Sequence, residues 1–85
     1  MTTPLIEQRV KEIISKRFNI GLERIQPETR LAEDLGVDSF AAVELMFELE
    51  ESFGLKIEDS EIENIRSVRD VVTYISAWLE KAPAA

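Results

Sequence analysis

The side chains able to do chemistry in this sequence are few, and the most suggestive is a serine. Ser39 stands between Asp38 and Phe40 in the stretch EDLGVDSFAAVEL, residues 33–45. The chain contains no histidine and no cysteine. A serine nucleophile therefore lacks an imidazole base, and neither a Ser-His-Asp nor a Cys-His site can be assembled. A zinc site of the Cys/His type is excluded for the same reason. Neither DLGVDS nor DSEIEN has the spacing of a calcium loop with glycine in sixth place. Carboxylate pairs are the only familiar acid/base apparatus left, so no catalytic residue and no metal ligand is assigned. A serine at a helix start is ordinarily only a helix start. A helix N-terminus also offers unpaired N–H groups and the positive end of a dipole, which suits a phosphate bonded to the serine oxygen. Ser39 thus reads either as a structural helix start or as a residue modified by an outside enzyme, with Asp38 beside it to meet that enzyme's metal or basic groups.

The charge around this serine is concentrated. The net charge is −7, and residues 33–63 hold eleven acids against the single base Lys56, while the flanking segments are slightly basic. Such a field repels nucleic acid and anionic membranes and steers basic protein surfaces inward; it also suits a plainly solvated face. With 85 residues, 45% of them hydrophobic, the chain fits one small globular domain and no second one. The start, MTTPLIEQRV, lacks a basic stretch followed by an apolar block, so no secretory signal is expected. No apolar run approaches a membrane span, and nothing requires an oxidising compartment.

The elements that must hold Ser39 in place can be read from periodicity and caps. Thr3 is expected to cap a first helix with Pro4 at its first position and Ile6, Val10, Ile13, Ile14 and Phe18 at helical spacing; Asn19 and Gly21 stop it. A long connection follows to residue 38, broken by Pro27, whose Ile25, Leu31 and Leu35 predict a loop packed on the core. A second helix runs over 39–53, capped by Asp38 and ended by Gly54. A short helix near Asp59 or Ser60 carries Ser60 and Glu63 at capping-box spacing, and a last helix carries Ser67 and Asp70 at the same spacing. Val68, Val71, Val72, Ile75, Trp78 and Leu79 form the buried stripe of that last helix, and KAPAA is expected to fray. The predicted fold is an all-α four-helix bundle: three main helices, one short helix and a long loop between helices one and two.

The helix over 39–53 has two apolar faces. At about 100° per residue, Ala42, Leu45, Met46, Leu49 and Phe53 gather on one side as a core face. Phe40, Val43 and Phe47 gather on the other, with Glu44, Glu48 and Glu51 among or beside them. The second stripe either packs beneath the long loop or forms a docking face, with apolar anchors for affinity and carboxylates for steering.

The segments EDLGVDSF, VELMFELEESFGLKI and IEQRVKEIISKRFNI resemble acyl carrier proteins, over residues 4 to about 80. That resemblance implies a four-helix bundle whose Ser39 accepts 4'-phosphopantetheine from coenzyme A, transferred by a separate phosphopantetheinyl transferase. The arm's thiol would then carry acyl groups as thioesters. By the same resemblance Asp38 matches the transferase-recognition position. Phe40, Val43, Glu44, Phe47, Glu50 and Glu51 match the partner-docking helix, on whose acidic rim Glu48 also lies. Leu49, Ile57, Ile62 and Ile65 match positions lining the acyl pocket, though all four would be core residues in any bundle. The implied partners are the transferase and acyl-loading, condensing and acyl-transfer enzymes with basic docking patches. No nucleic acid, membrane span or metal is expected, and the carrier is taken to be monomeric and cytoplasmic. The sequence departs from the family pattern at Phe40, where leucine is common, at Ala41, where a polar residue is common, and at Glu58, where proline is common. These departures bear on partner identity: fatty acid biosynthesis, a polyketide, aminoacyl or other specialised pathway, and, from another class, an unmodified acidic helical adaptor all stay open.

Overall fold

A computed structural model describes residues 2–81. Helix α1 spans Thr3–Phe18, α2 Leu31–Leu35, α3 Ser39–Phe53, α4 Asp59–Ile62 and α5 Val68–Lys81, with a 3-10 turn at Leu22–Arg24. The described residues contain no strand, only an isolated antiparallel bridge between Arg30 and Ser67. The all-α bundle with three main helices is therefore as the sequence predicts. Residues 82–85 of KAPAA lie outside the described residues; Lys81 closes α5.

Caps set most of the boundaries. Asn19 ends α1 in the left-handed conformation, with φ 56°, and Gly54 ends α3 with φ 67°. The box at the start of α5 forms in full: Asp70 Oδ2 accepts from the Ser67 N–H at 3.1 Å, and the Asp70 N–H donates to Ser67 Oγ at 3.2 Å. Arg66 N–H adds a third bond to Asp70 at 3.0 Å. These bonds, that from Arg66 foremost, hold the Asp70 carboxyl below its usual pKa.

Two caps differ from expectation. Thr2, not Thr3, is the N-cap of α1, without a side-chain bond. Thr3 and Pro4 are already helical, which proline tolerates there because its missing N–H has no partner in the first turn. Ser60 and Glu63 do not form a box. The extended N-cap residue is Glu58, so Ser60 lies inside a four-residue helix and Glu63 just past its end.

The connection over 19–38 is more ordered than a packed loop. Besides the 3-10 turn it contains α2, and its backbone is tied to the entry of α5. Leu31 N–H donates to Arg66 O at 2.9 Å, Val68 N–H to Thr29 O at 3.0 Å and Arg69 N–H to Pro27 O at 2.8 Å. Buried Thr29 accepts from Gln26 N–H at 2.8 Å, which satisfies its hydroxyl. Ile25, Leu31 and Val37 from this segment join the core of α1 (Ile6, Val10, Ile14), α3 (Leu45, Met46, Leu49) and α5 (Val68, Val71, Val72, Ile75). Gly36 then turns the chain with φ 71°, a left-handed conformation that a side chain would strain. The entry to α3 is thereby fixed from both sides: Val37 is anchored in the core and α2 is pinned to α5.

Candidate functional site

Asp38 is the N-cap of α3: its Oδ1 accepts from Ala41 N–H at 2.8 Å, and its backbone oxygen accepts from Ala42 N–H at 2.8 Å. Ser39 is the first helical residue. Its side chain is exposed, and among the described residues no hydrogen bond engages its hydroxyl. The capping task belongs to Asp38, so Ser39 is dispensable to the helix start it occupies.

Beside Ser39 lies a cleft of about 540 Å³. Leu31, Ala32 and Val37 contribute one apolar part of its lining, Ala42 and Val43 another, and Ile62 and Ile65 a third; exposed Asp38, Ser39, Glu33, Glu63 and Arg66 supply its polar edge. The volume falls within the range of small-molecule sites, which are mostly apolar with a few polar groups. Val43 and Ile62 also line a second cleft of about 240 Å³ with Met46, Phe47, Glu50 and Ile57, and so form the ridge between the two.

Of the four residues matched to an acyl pocket, Ile62 and Ile65 line the cleft beside Ser39, and Ile57 lines the neighbouring one. Leu49 lines neither; it is sealed in the core by the packing of α3 against the rest of the bundle. Leu31, Ala32, Val37 and Ala42 were missed as cleft residues. Val37 and Ala42 carry a readable signal, since they flank Asp38 at the spacing of a hydrophobic staple.

The second stripe of α3 is open. Phe40, Val43 and Phe47 are 64%, 54% and 62% exposed, so the long connection does not cover them. The glutamates around them divide three ways. Glu51 is exposed and makes no ion pair among the described residues. Glu44 and Glu48 both meet Arg17 of α1: Nη1 lies 2.7 Å from Glu48 Oε1 and Nη2 lies 3.5 Å from Glu44 Oε1. Glu50 turns inward, where its carboxylate accepts from Ile57 N–H at 2.6 Å. Its backbone oxygen also accepts from Gly54 and Leu55 at 2.8 and 3.1 Å, so Glu50 ties down the exit of α3. One oxygen of the Glu50 carboxylate is thus engaged within the chain, unlike those of Glu51.

The family model described as "Phosphopantetheine attachment site" matches residues 8–75. The chain is 46% identical over 70 residues to "Acyl carrier protein" of Rickettsia bellii (strain RML369-C), covering 82% of this chain and 81% of that one. It is 38% identical over 71 residues to "Acyl carrier protein" of Nitratidesulfovibrio vulgaris (strain DP4), covering 84% and 93%. The chain belongs to the acyl carrier protein family. It is a carrier, not a catalyst, and its cofactor is 4'-phosphopantetheine. A carrier of this kind works with a phosphopantetheinyl transferase and with biosynthetic enzymes. Among the described residues no helix is long and apolar enough to cross a membrane.

Proposed function

We propose that Ser39 is the residue that receives 4'-phosphopantetheine and that the open face of α3 presents the loaded carrier to its enzymes. The observation that carries this reading is the exposed, unengaged Ser39 hydroxyl on the edge of the 540 Å³ cleft. In the transfer, Ser39 Oγ attacks the pantetheine-side phosphorus of coenzyme A. The phosphoanhydride bond breaks, adenosine 3',5'-bisphosphate leaves, and the serine proton passes to a base of the transferase. When attached, the arm supplies a thiol for thioester chemistry to a chain without cysteine.

The site residues fit that group. No core contact is lost when Ser39 Oγ is substituted, because the side chain is exposed. Asp38 takes the Ala41 N–H, and the positive end of the α3 dipole would favour a phosphate on Ser39. Asp38 keeps its second carboxylate oxygen for the transferase. The apolar lining with Ile62 and Ile65 suits an acyl chain, while Ile57 lines the neighbouring cleft and Leu49 stays in the core.

Docking then rests on Phe40, Val43 and Phe47 as anchors and on Glu44, Glu48 and Glu51 as the acidic rim. Basic patches of acyl-loading, condensing and acyl-transfer enzymes complement it, and exposed charge makes this attraction weaken with salt. The reading extends to acyl groups of fatty acid or related biosynthesis in the cytoplasm. Exposed Phe40, directly after Ser39, favours a dedicated client set. Incubation with coenzyme A, magnesium and a broad-specificity transferase is expected to add one phosphopantetheine mass to the chain and none to Ser39→Ala. Addition of the same mass to Ser39→Ala, or an unchanged mass of the folded wild-type chain, would overturn the assignment of Ser39.

A further inference from the structure

The acidic face of α3 is not uniformly available, because α1 reaches onto it. Arg17 stands in the last turn of α1 and forks between Glu44 and Glu48, 3.5 and 2.7 Å away. The two glutamates are one helical turn apart on α3, so one guanidinium spans both. All three side chains remain partly exposed, at 29% for Arg17, 52% for Glu44 and 40% for Glu48. The fork is therefore open to competition from outside. Arg17, Glu44, Glu48, Glu51 and Phe47 line one groove of about 310 Å³. A partner side chain lying over Phe47 enters the same groove and meets Arg17.

We propose that Arg17 is an intramolecular competitor for the basic residues of docking partners. It engages both Glu44 and Glu48 and offsets one of their two negative charges, leaving Phe47 and Glu51 as the groove's uncontested contacts. The partner that fits sets an apolar pocket over Phe47 and one cation beside Glu51. A uniformly basic patch has instead to break the fork or place its charge against a like charge. This inference rests on docking at the open face of α3 and adds a residue of α1 that weakens it. Removing a positive charge from the carrier should therefore strengthen binding to a basic partner, opposite to what a merely structural strut between α1 and α3 would do.

The test uses the unmodified full chain, coenzyme A and a broad-specificity phosphopantetheinyl transferase whose carrier-facing surface is basic. The KM for the carrier is measured across a range of sodium chloride. An exposed ion pair is worth about a 1.4- to 5-fold factor. Arg17→Gln is expected to lower KM about three-fold, leave kcat unchanged and steepen the salt dependence. Arg17→Lys, which keeps the charge, should return KM towards the wild-type value. An unchanged or raised KM for Arg17→Gln, with the helical circular dichroism of wild type, overturns the inference. Phe47→Ala separates the two readings. If it raises KM while Arg17→Gln does nothing, docking at α3 stands and the competitor role falls. If Phe47→Ala leaves KM unchanged, both fall.

Discussion

Asp38 caps α3 and is the proposed contact for the transferase, and two substitutions separate these tasks. As N-cap it accepts the Ala41 N–H at 2.8 Å; as an exposed carboxylate it is the group proposed to meet the transferase. Asp38→Ala removes both. Losing an N-cap side chain costs about 1 kcal/mol, within a range of about 0.5–2. The site is exposed, so water rescues the freed N–H and the loss should sit near the middle of that range. For a chain of this size about 1 kcal/mol corresponds to a fall in Tm of about 4–8 °C. Asp38→Asn keeps an equivalent acceptor and loses only the charge at the helix N-terminus, about 0.3–1 kcal/mol. It should therefore melt between wild type and Asp38→Ala. Circular dichroism melts give the stability, and intact-mass time courses with coenzyme A and the transferase give the modification rate. The expected pattern is that Asp38→Asn stays closer to wild type in Tm yet is modified at least about ten-fold more slowly, a factor equal to about 1.4 kcal/mol. Equal melting of Asn and Ala variants would refute the capping argument. Modification of Asp38→Asn at the wild-type rate would refute the charge contact.

Further expectations follow from the same geometry. Ser39→Ala should keep wild-type stability within about 0.5 kcal/mol, because the hydroxyl bonds to nothing in the described structure; a chemical denaturation curve checks this. Glu50→Ala should cost about 1–3 kcal/mol in urea denaturation, since it strands the Ile57 N–H at a buried residue, whereas Glu50→Gln retains an acceptor and most of the stability. Phe47→Ala should leave the unfolding free energy within about 0.5 kcal/mol of wild type, because the ring is 62% exposed; a large loss would mean that the stripe is core. Asp70 has a depressed folded-state pKa, so its contribution is full above its ordinary value of 3.8 and is lost as pH falls through the lower folded value. Melts at descending pH should show wild type losing its advantage over Asp70→Asn in that acid range, and a pH-independent difference would contradict the charge-assisted cap.

The sequence by itself settled most of what depends on neighbours along the chain, the Thr3 cap and the Ser60–Glu63 box excepted. Asp38 and the Ser67–Asp70 box cap helices through contacts three residues away, and Asn19 and Gly54 stop them through their own backbone freedom. The two faces of α3 follow from helical period alone, and the exposed Phe40, Val43 and Phe47 lie on the face the wheel assigns to them. Absence of histidine and cysteine is likewise a fact of composition. Tertiary structure decided what depends on partners far along the chain. Leu31 helps to hold α2 in place by bonding to Arg66; Gly36 closes α2, but the N-cap residue Arg30 has no side-chain cap bond and five residues are too few for a helical period to announce the element. Arg17 reaches Glu44 and Glu48 only because α1 and α3 pack at one particular approach. Glu50 accepts a bond from far along the chain because the turn after Gly54 brings the Ile57 N–H within its reach. Periodicity already puts Leu49 on the core face of α3, but it gives Ile57, Ile62 and Ile65 only as apolar. Only the tertiary packing sets Ile62 and Ile65 along the cleft beside Ser39 and Ile57 along its neighbour.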